Sequence, residues 1–263
     1  MTPILTHGSD MSLAPTVGAV VRHHRCNVAA AVEHLSTLGF DAVQLDATLP
    51  GIRPRELDQR ARKDLLALLT RRSMRLAGLD LFLPHRHYLD SAHVDRAMAA
   101  TLASIELAVD LGRVPLSVAL PVGELADDAK AAIVEAADGR GARLAVHAED
   151  DVDALLEWIG QVDLPAIGCG LDPAAALGRG DDALRGAQAL GARLHSARLC
   201  DVVSGGLRCP VGQGELDTIQ YRIAVDLAAA RLGPVVLDLR ALDDPLGGAA
   251  VGKTEWEAAA WDH

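Results

Sequence analysis

The chain reads as an α/β protein, a closed (β/α)8 barrel, on three observations. Short apolar or β-branched runs alternate with Ala/Leu-rich stretches of helical spacing, which is the pattern of βα units and a parallel sheet. The alternation continues along the chain with no low-complexity linker. Its 263 residues match the length that eight such units need to close on themselves.

Taken in order, Val-Gly-Ala-Val-Val at 17–21 reads as the first strand, and a helix over 28–38 ends at Gly39, a residue suited to the left-handed position after a helix. The second strand, 42–46, runs to Asp46. A helix over 55–72 leads to the third strand at 77–83, and one over 92–111, closed by Gly112, leads to the fourth at 116–120. Helices at 124–137 and 152–160 bracket the fifth strand, 143–147, and the sixth strand is 166–172. A helix at 181–190, closed by Gly191, precedes the seventh strand at 193–200. A Gly/Pro-rich segment and a helix at 218–232 then lead to the eighth, 234–239. All of this reads as one domain over 1–263, with 1–16 and 243–263 as peripheral terminal segments and Trp256 and Trp261 available to dock the tail. An open doubly wound sheet is the runner-up. It is disfavoured because Val21-Arg22-His23-His24-Arg25, not a G-x-G-x-x-G turn, follows the first strand.

Composition narrows the function. A net charge of −11 disfavours nucleic acid, whose binding depends on clustered basic residues, and 3% aromatic content gives little for stacking single strands. No apolar run approaches the ~20 residues of a membrane span, and no signal pattern opens the chain, so a cytoplasmic location without membrane contact is expected. The four cysteines read as free thiols. The lysines are Lys63, Lys130 and Lys253, in two helices and the tail, so a Schiff-base lysine at a strand end is not expected.

In such a barrel the polar residues closing the strands face the substrate. Here they are Arg22 and His23, Gln44 and Asp46, His85, His147 and Glu149, Asp172, Arg198 with Asp201, and Asp238 with Arg240. Asp172 and Asp238 end runs that are otherwise apolar, where a carboxylate needs a cationic partner. The segment 207–217 carries a single cation, Arg208, which suits an anion or hydroxyl clamp. His23, His24 and Cys26 are adjacent in sequence, but a turn aims such neighbours apart, so no metal is expected there.

These residues resemble the xylose isomerase-like TIM barrels, a superfamily of sugar and sugar-phosphate isomerases and epimerases that also contains endonuclease IV. Leu38-Gly39-Phe40-Asp41-Ala42-Val43-Gln44-Leu45 is similar to that family's second strand, and Gly170-Leu171-Asp172 to its sixth. Arg198-Leu199-Cys200-Asp201 is similar to its seventh strand and Val236-Leu237-Asp238-Leu239 to its last, with 210–217 resembling the Pro/Gly loop between them. The resemblance implies one divalent ion held by Glu, Asp, His and Glu on strands five to eight. Carried over by position, these fall on His147, Asp172, Arg198 and Asp238, so only the Asp is kept; the second-strand Glu is Gln44, and a further family His is Ala175. A guanidinium has no lone pair to give a metal and repels a dication.

The expectation is therefore an isomerase- or epimerase-like protein acting on a small hydroxylated or anionic ligand, with no metal and no other cofactor. His147, Asp172, Arg198 and Asp238 form its catalytic set, with His147 or Asp238 as general base. Gln44, His85, Glu149 and Arg208 bind substrate, and Arg198 pairs with Asp172 and Asp238. A homo-oligomer is compatible with the sequence. Two alternatives stay open: a non-catalytic ligand-binding barrel serving as sensor or subunit, and a metal-dependent isomerase in which Arg198 swings away and His147, Asp172 and Asp238 hold the ion.

Overall fold

The structure, a computed structural model, describes residues 11–148, 152–228 and 232–260. Its strands in chain order are β1 (Leu13–Pro15), β2 (Ala42–Asp46), β3 (Arg75–Leu81), β4 (Leu116–Ala119), β5 (Leu144–His147), β6 (Ile167–Leu171), β7 (Leu194–Leu199), β8 (Asp201–Val202), β9 (Arg208–Cys209) and β10 (Val235–Leu237). The helices are α1 (Val17–His24), α2 (Val28–Thr37), α3 (Gln59–Arg71), α4 (Arg86–Leu89), α5 (Val94–Asp110), α6 (Asp127–Arg140), α7 (Val152–Val162), α8 (Pro173–Arg179), α9 (Ala183–Leu190), α10 (Thr218–Ala228) and α11 (Pro245–Ala258). None of the described helices is long and apolar enough to cross a membrane.

Eight of the strands run parallel in the order β1-β10-β7-β6-β5-β4-β3-β2. A parallel bridge between Thr16 and Gln44 returns from β2 to β1, so the sheet closes as the (β/α)8 barrel read from the sequence. The short pair β8 and β9 stands apart as an antiparallel hairpin after β7.

The first strand is displaced from its expected place. Residues 17–21 begin α1, and the strand is Leu13–Pro15, whose register pairs Leu13 with Val235 and Pro15 with Leu237. The β-branched valines of 17–21 favour a strand locally, but helical spacing puts Val17 and Val20 on one fully buried side while Arg22, His23 and His24 end the helix facing outward. Thr16 makes the join: its backbone N–H donates to Leu237 O at 3.0 Å, and its hydroxyl accepts from Leu239 N at 3.0 Å. The stretch 11–16 is therefore part of the barrel wall and not a peripheral tail.

The C-terminal segment is corrected in the same way. Residues 245–258 form α11, capped by Asp244 through Gly247 N at 3.0 Å. Trp256 is buried, and its indole N–H donates to Met11 O at 2.8 Å, tying α11 to the segment before β1. Trp261 lies outside the described residues.

Strand periodicity divides the side chains between two environments. Leu45, Leu79, Val146, Leu171, Leu199 and Leu237 join the apolar core, which the strands share with the helices. Their neighbours Gln44, Asp80, His147, Asp172, Arg198 and Asp238 point the other way, toward the lumen, as a repeat of two requires.

Candidate functional site at the barrel mouth

Three arginines and three aspartates meet at the C-terminal ends of the strands. Arg198, on β7, is buried and donates from Nη1 to Asp238 Oδ2 at 2.8 Å and from Nη2 to Asp80 Oδ1 at 2.9 Å. Arg208, on β9, donates to that same Asp238 Oδ2 at 2.8 Å and to Asp172 Oδ2 at 2.7 Å, bridging the two carboxylates. Arg240, just past β10, reaches Asp238 Oδ2 at 2.6 Å and Asp80 Oδ2 at 3.4 Å, and its guanidinium lies 4.6 Å from the Phe82 ring centre.

The expected pairing of Arg198 with Asp238 is present, but its second partner is Asp80, and Asp172 belongs to Arg208. Parallel register accounts for this. Asp172 follows β6 as the N-cap of α8, accepting from Ala175 N at 3.2 Å, so its carboxylate is drawn toward the hairpin that carries Arg208. That hairpin is fixed by buried Asp201, whose carboxylate accepts backbone N–H groups from Gly212 at 3.0 Å and from Gly214 and Leu216 at 2.9 Å. Gly214 is required there, since a Cβ would stand 2.3 Å from Val202 O and 2.4 Å from Asp201 Oδ1.

A cavity of about 390 Å³ opens over this cluster, lined by Asp80, Phe82, His147, Asp172, Arg198, Arg208 and Arg240 together with small residues. Of the sequence-derived site residues, His147, Asp172, Arg198 and Arg208 are brought together here. Asp238 lies behind the arginines and holds them without lining the cavity. Gln44 is buried in a small recess beside Asp46, Asp80 and Arg240, with its Oε1 unpartnered among the described residues. His85 sits off the cavity, immediately before α4. Glu149 lies outside the described residues. Asp80 is the member of this cluster that sequence reasoning missed. Its signal was the same as that of Asp172, a carboxylate inside an apolar run, but the strand end was sought further on, at His85.

The electrostatics distinguish these groups. Burial, then the Arg198 charge, depresses His147 from 6.5 to about 3, so its ring is neutral. Among the described residues its buried Nε2 has no partner, and it packs on Gly170, where a Cβ would come within 2.0 Å of it. A ring nitrogen that binds a proton so weakly argues against His147 as the general base at neutral pH. Burial works against the charge on Asp172, but Arg208 and Arg198 hold its carboxyl well below the usual range. Asp80 moves the opposite way, raised by burial and by Asp46 against the pull of Arg198. Burial pushes the Cys200 thiol up, with Asp172 adding to it, and Cys200 donates to Asp172 Oδ1 at 3.2 Å.

Among the described residues, Asp172, Cys200 and Asp238 bring possible metal ligands within 4.8 Å of one another, and His147 is not part of that group. The residues do not fit a divalent ion as placed. The Arg208 guanidinium bridges the two carboxylates, and Arg198 stands beside them where a neutral ligand would be needed.

The fold has many relatives among solved structures. The chain is 16% identical to a xylose isomerase-like TIM barrel protein from Mycobacterium smegmatis in complex with magnesium, with a TM-score of 0.71, covering 95% of this chain and 98% of that one. It is 14% identical to D-psicose 3-epimerase from Clostridium cellulolyticum H10 with D-tagatose, TM-score 0.71, covering 95% and 96%. It also matches a xylose isomerase-like TIM barrel/4-hydroxyphenylpyruvate dioxygenase fusion protein at 16% identity and a TM-score of 0.67; 93% of this chain is covered but it spans only 42% of the fusion. Identities this low speak for the fold alone. No curated protein matches the chain closely enough to count as a relative. The family profile described as xylose isomerase-like TIM barrel matches residues 32–240, and the chain belongs to that family.

Proposed function

We propose that the chain is an isomerase- or epimerase-like enzyme acting at the barrel mouth on a small hydroxylated or anionic substrate, with guanidinium groups in the place of a divalent ion. The observation that carries this reading is the 390 Å³ cavity in which Arg198, Arg208 and Arg240 face Asp80, Asp172 and His147. The reaction class proposed is a proton moved at a carbon beside a carbonyl, on a fold that a D-psicose 3-epimerase shares.

In this reading Asp80 is the proton-transfer group. It lines the cavity, its burial raises its affinity for a proton, and among the described residues its Oδ2 has only the long 3.4 Å contact to Arg240. It takes the proton from carbon, the C–H electrons pass onto the neighbouring carbonyl oxygen, and Arg198 and Arg208 stabilise that oxyanion until the proton is returned. His147, neutral, orients a substrate hydroxyl. Each mouth arginine already faces a carboxylate, so the charge is balanced, which favours a neutral polyol over a phosphorylated one. The free cysteines suit a reducing compartment, in keeping with a cytoplasmic location.

The same complete pairing favours the second reading, a binding barrel without turnover. Solvent deuterium incorporation into a panel of ketoses, aldoses and keto acids, followed by proton NMR in the presence of a chelator, separates the two. Exchange that persists with chelator and disappears in Asp80→Asn supports the enzyme. Binding without exchange supports the barrel that only binds, and exchange abolished by the chelator overturns the metal-independent mechanism.

A further inference from the structure

Behind the strand that carries Asp80, a second cavity of about 680 Å³ opens between β3 and the first half of α5. Strand periodicity separates the two spaces: Asp80 and Phe82 face the mouth, while Leu81 and Leu83 face this cavity. Its floor is apolar, and the room exists because α5 presents Ala97 and Ala100 toward it. The same helix face ends in Ser104, which has no exposed surface and whose hydroxyl has no hydrogen-bond partner among the described residues. A buried hydroxyl in that state is costly unless something arrives to satisfy it.

The rim is basic. Arg53 donates to Thr48 O and pairs with Glu56, and Arg55 comes no closer than 4.0 Å to the same Glu56. Arg96 makes no ion pair among the described residues and is exposed above the cavity. An excess of guanidinium over carboxylate, in a chain of net charge −11, calls for an anionic group at the opening. Arg96 and Ser104 are about two turns apart, about 12 Å along the helix axis.

We propose that this cavity is a second small-molecule site, separate from the mouth, for an amphiphilic carboxylate. The carboxylate pairs with Arg96 at the rim, an apolar body lies on Leu81, Leu83 and Ala100, and a polar atom at the far end meets the Ser104 hydroxyl. The volume suits a ligand of drug-like size.

Calorimetric titration with 8-hydroxyoctanoate, octanoate, octan-1-ol and inorganic phosphate tests the assignment. Saturable binding of 8-hydroxyoctanoate is expected, with octanoate weaker and no binding of phosphate. Arg96→Ala, an exposed position that leaves the fold intact, is expected to weaken both acids about tenfold, the loss of one charge-assisted hydrogen bond. Ser104→Ala is expected to bring 8-hydroxyoctanoate down to the affinity of octanoate. No saturable heat from either acid, equal affinity for the two, or a loss on Arg208→Ala at the mouth in place of Arg96→Ala overturns the proposal.

Discussion

Arg198 and Asp238 hold each other at the centre of the mouth, both almost without exposed surface, and each is tolerable there only because of the other. Arg198→Ala leaves Asp80 and Asp238 short of a partner and is expected to destabilise the protein by about 3 to 5 kcal/mol, measured by urea unfolding. His147 acts on the acid side. Its folded value of about 3 lies below the ordinary 6.5, so its stabilising contribution is full above pH 6.5 and is lost as the pH falls toward 3. Buried His195, lowered to about 4, works in the same direction. The melting temperature is expected to fall across that range, and His147→Gln to make the fall shallower; an unchanged slope would refute the buried neutral imidazole. Asp172, Arg198 and Arg208 were legible in the sequence because a charge ending an apolar strand, or alone in a long loop, has few structural reasons to be there. Their partners were not, because pairing across strands 118 positions apart depends on barrel register, which only closure determines.

The hairpin of β8 and β9 and the helix α11 show what single elements contribute. Arg208 stays on Asp172 and Asp238 because Asp201 gathers the backbone of the following loop, so Asp201→Ala is expected to loosen 208–216 as well as lower stability. Faster amide hydrogen exchange at Gly212, Gly214 and Leu216 in that variant checks it. The helix α11 was hidden in the sequence by its glycines, which weaken a helical pattern. Their use is in packing: a Cβ on Gly252 would stand 2.8 Å from Leu237 Cδ1, so glycine lets α11 lie close against β10. Trp256→Ala is expected to cost about 3 to 5 kcal/mol, the range for deleting a large buried aromatic, where a peripheral tail would lose almost nothing.

The barrel as a whole was readable because its strands alternate between lumen and core, apart from register shifts at Val43/Gln44 and Cys169/Gly170, and its turns carry glycine at helix ends. The first strand was misplaced and α11 was missed at the seam where the first and last described segments meet and local preference yields to burial; the short α4 and α8 and the β8–β9 hairpin, too brief for a periodic signal, were missed as well. With α11 tied to Met11 across that seam, one cooperative unfolding transition is expected, and two separately melting halves would contradict a single domain. The family to which the chain belongs gives it the scaffold; the chemistry proposed for the mouth rests on Arg198, which stands where the resemblance implies a histidine, with Arg208 and Arg240 beside it. The most direct test of that account is elemental analysis of the protein after equilibration with manganese and zinc and removal of unbound ions. Well below one equivalent of either metal, unchanged by Asp172→Asn, is the expected result; a full equivalent that Asp172→Asn abolishes would contradict it.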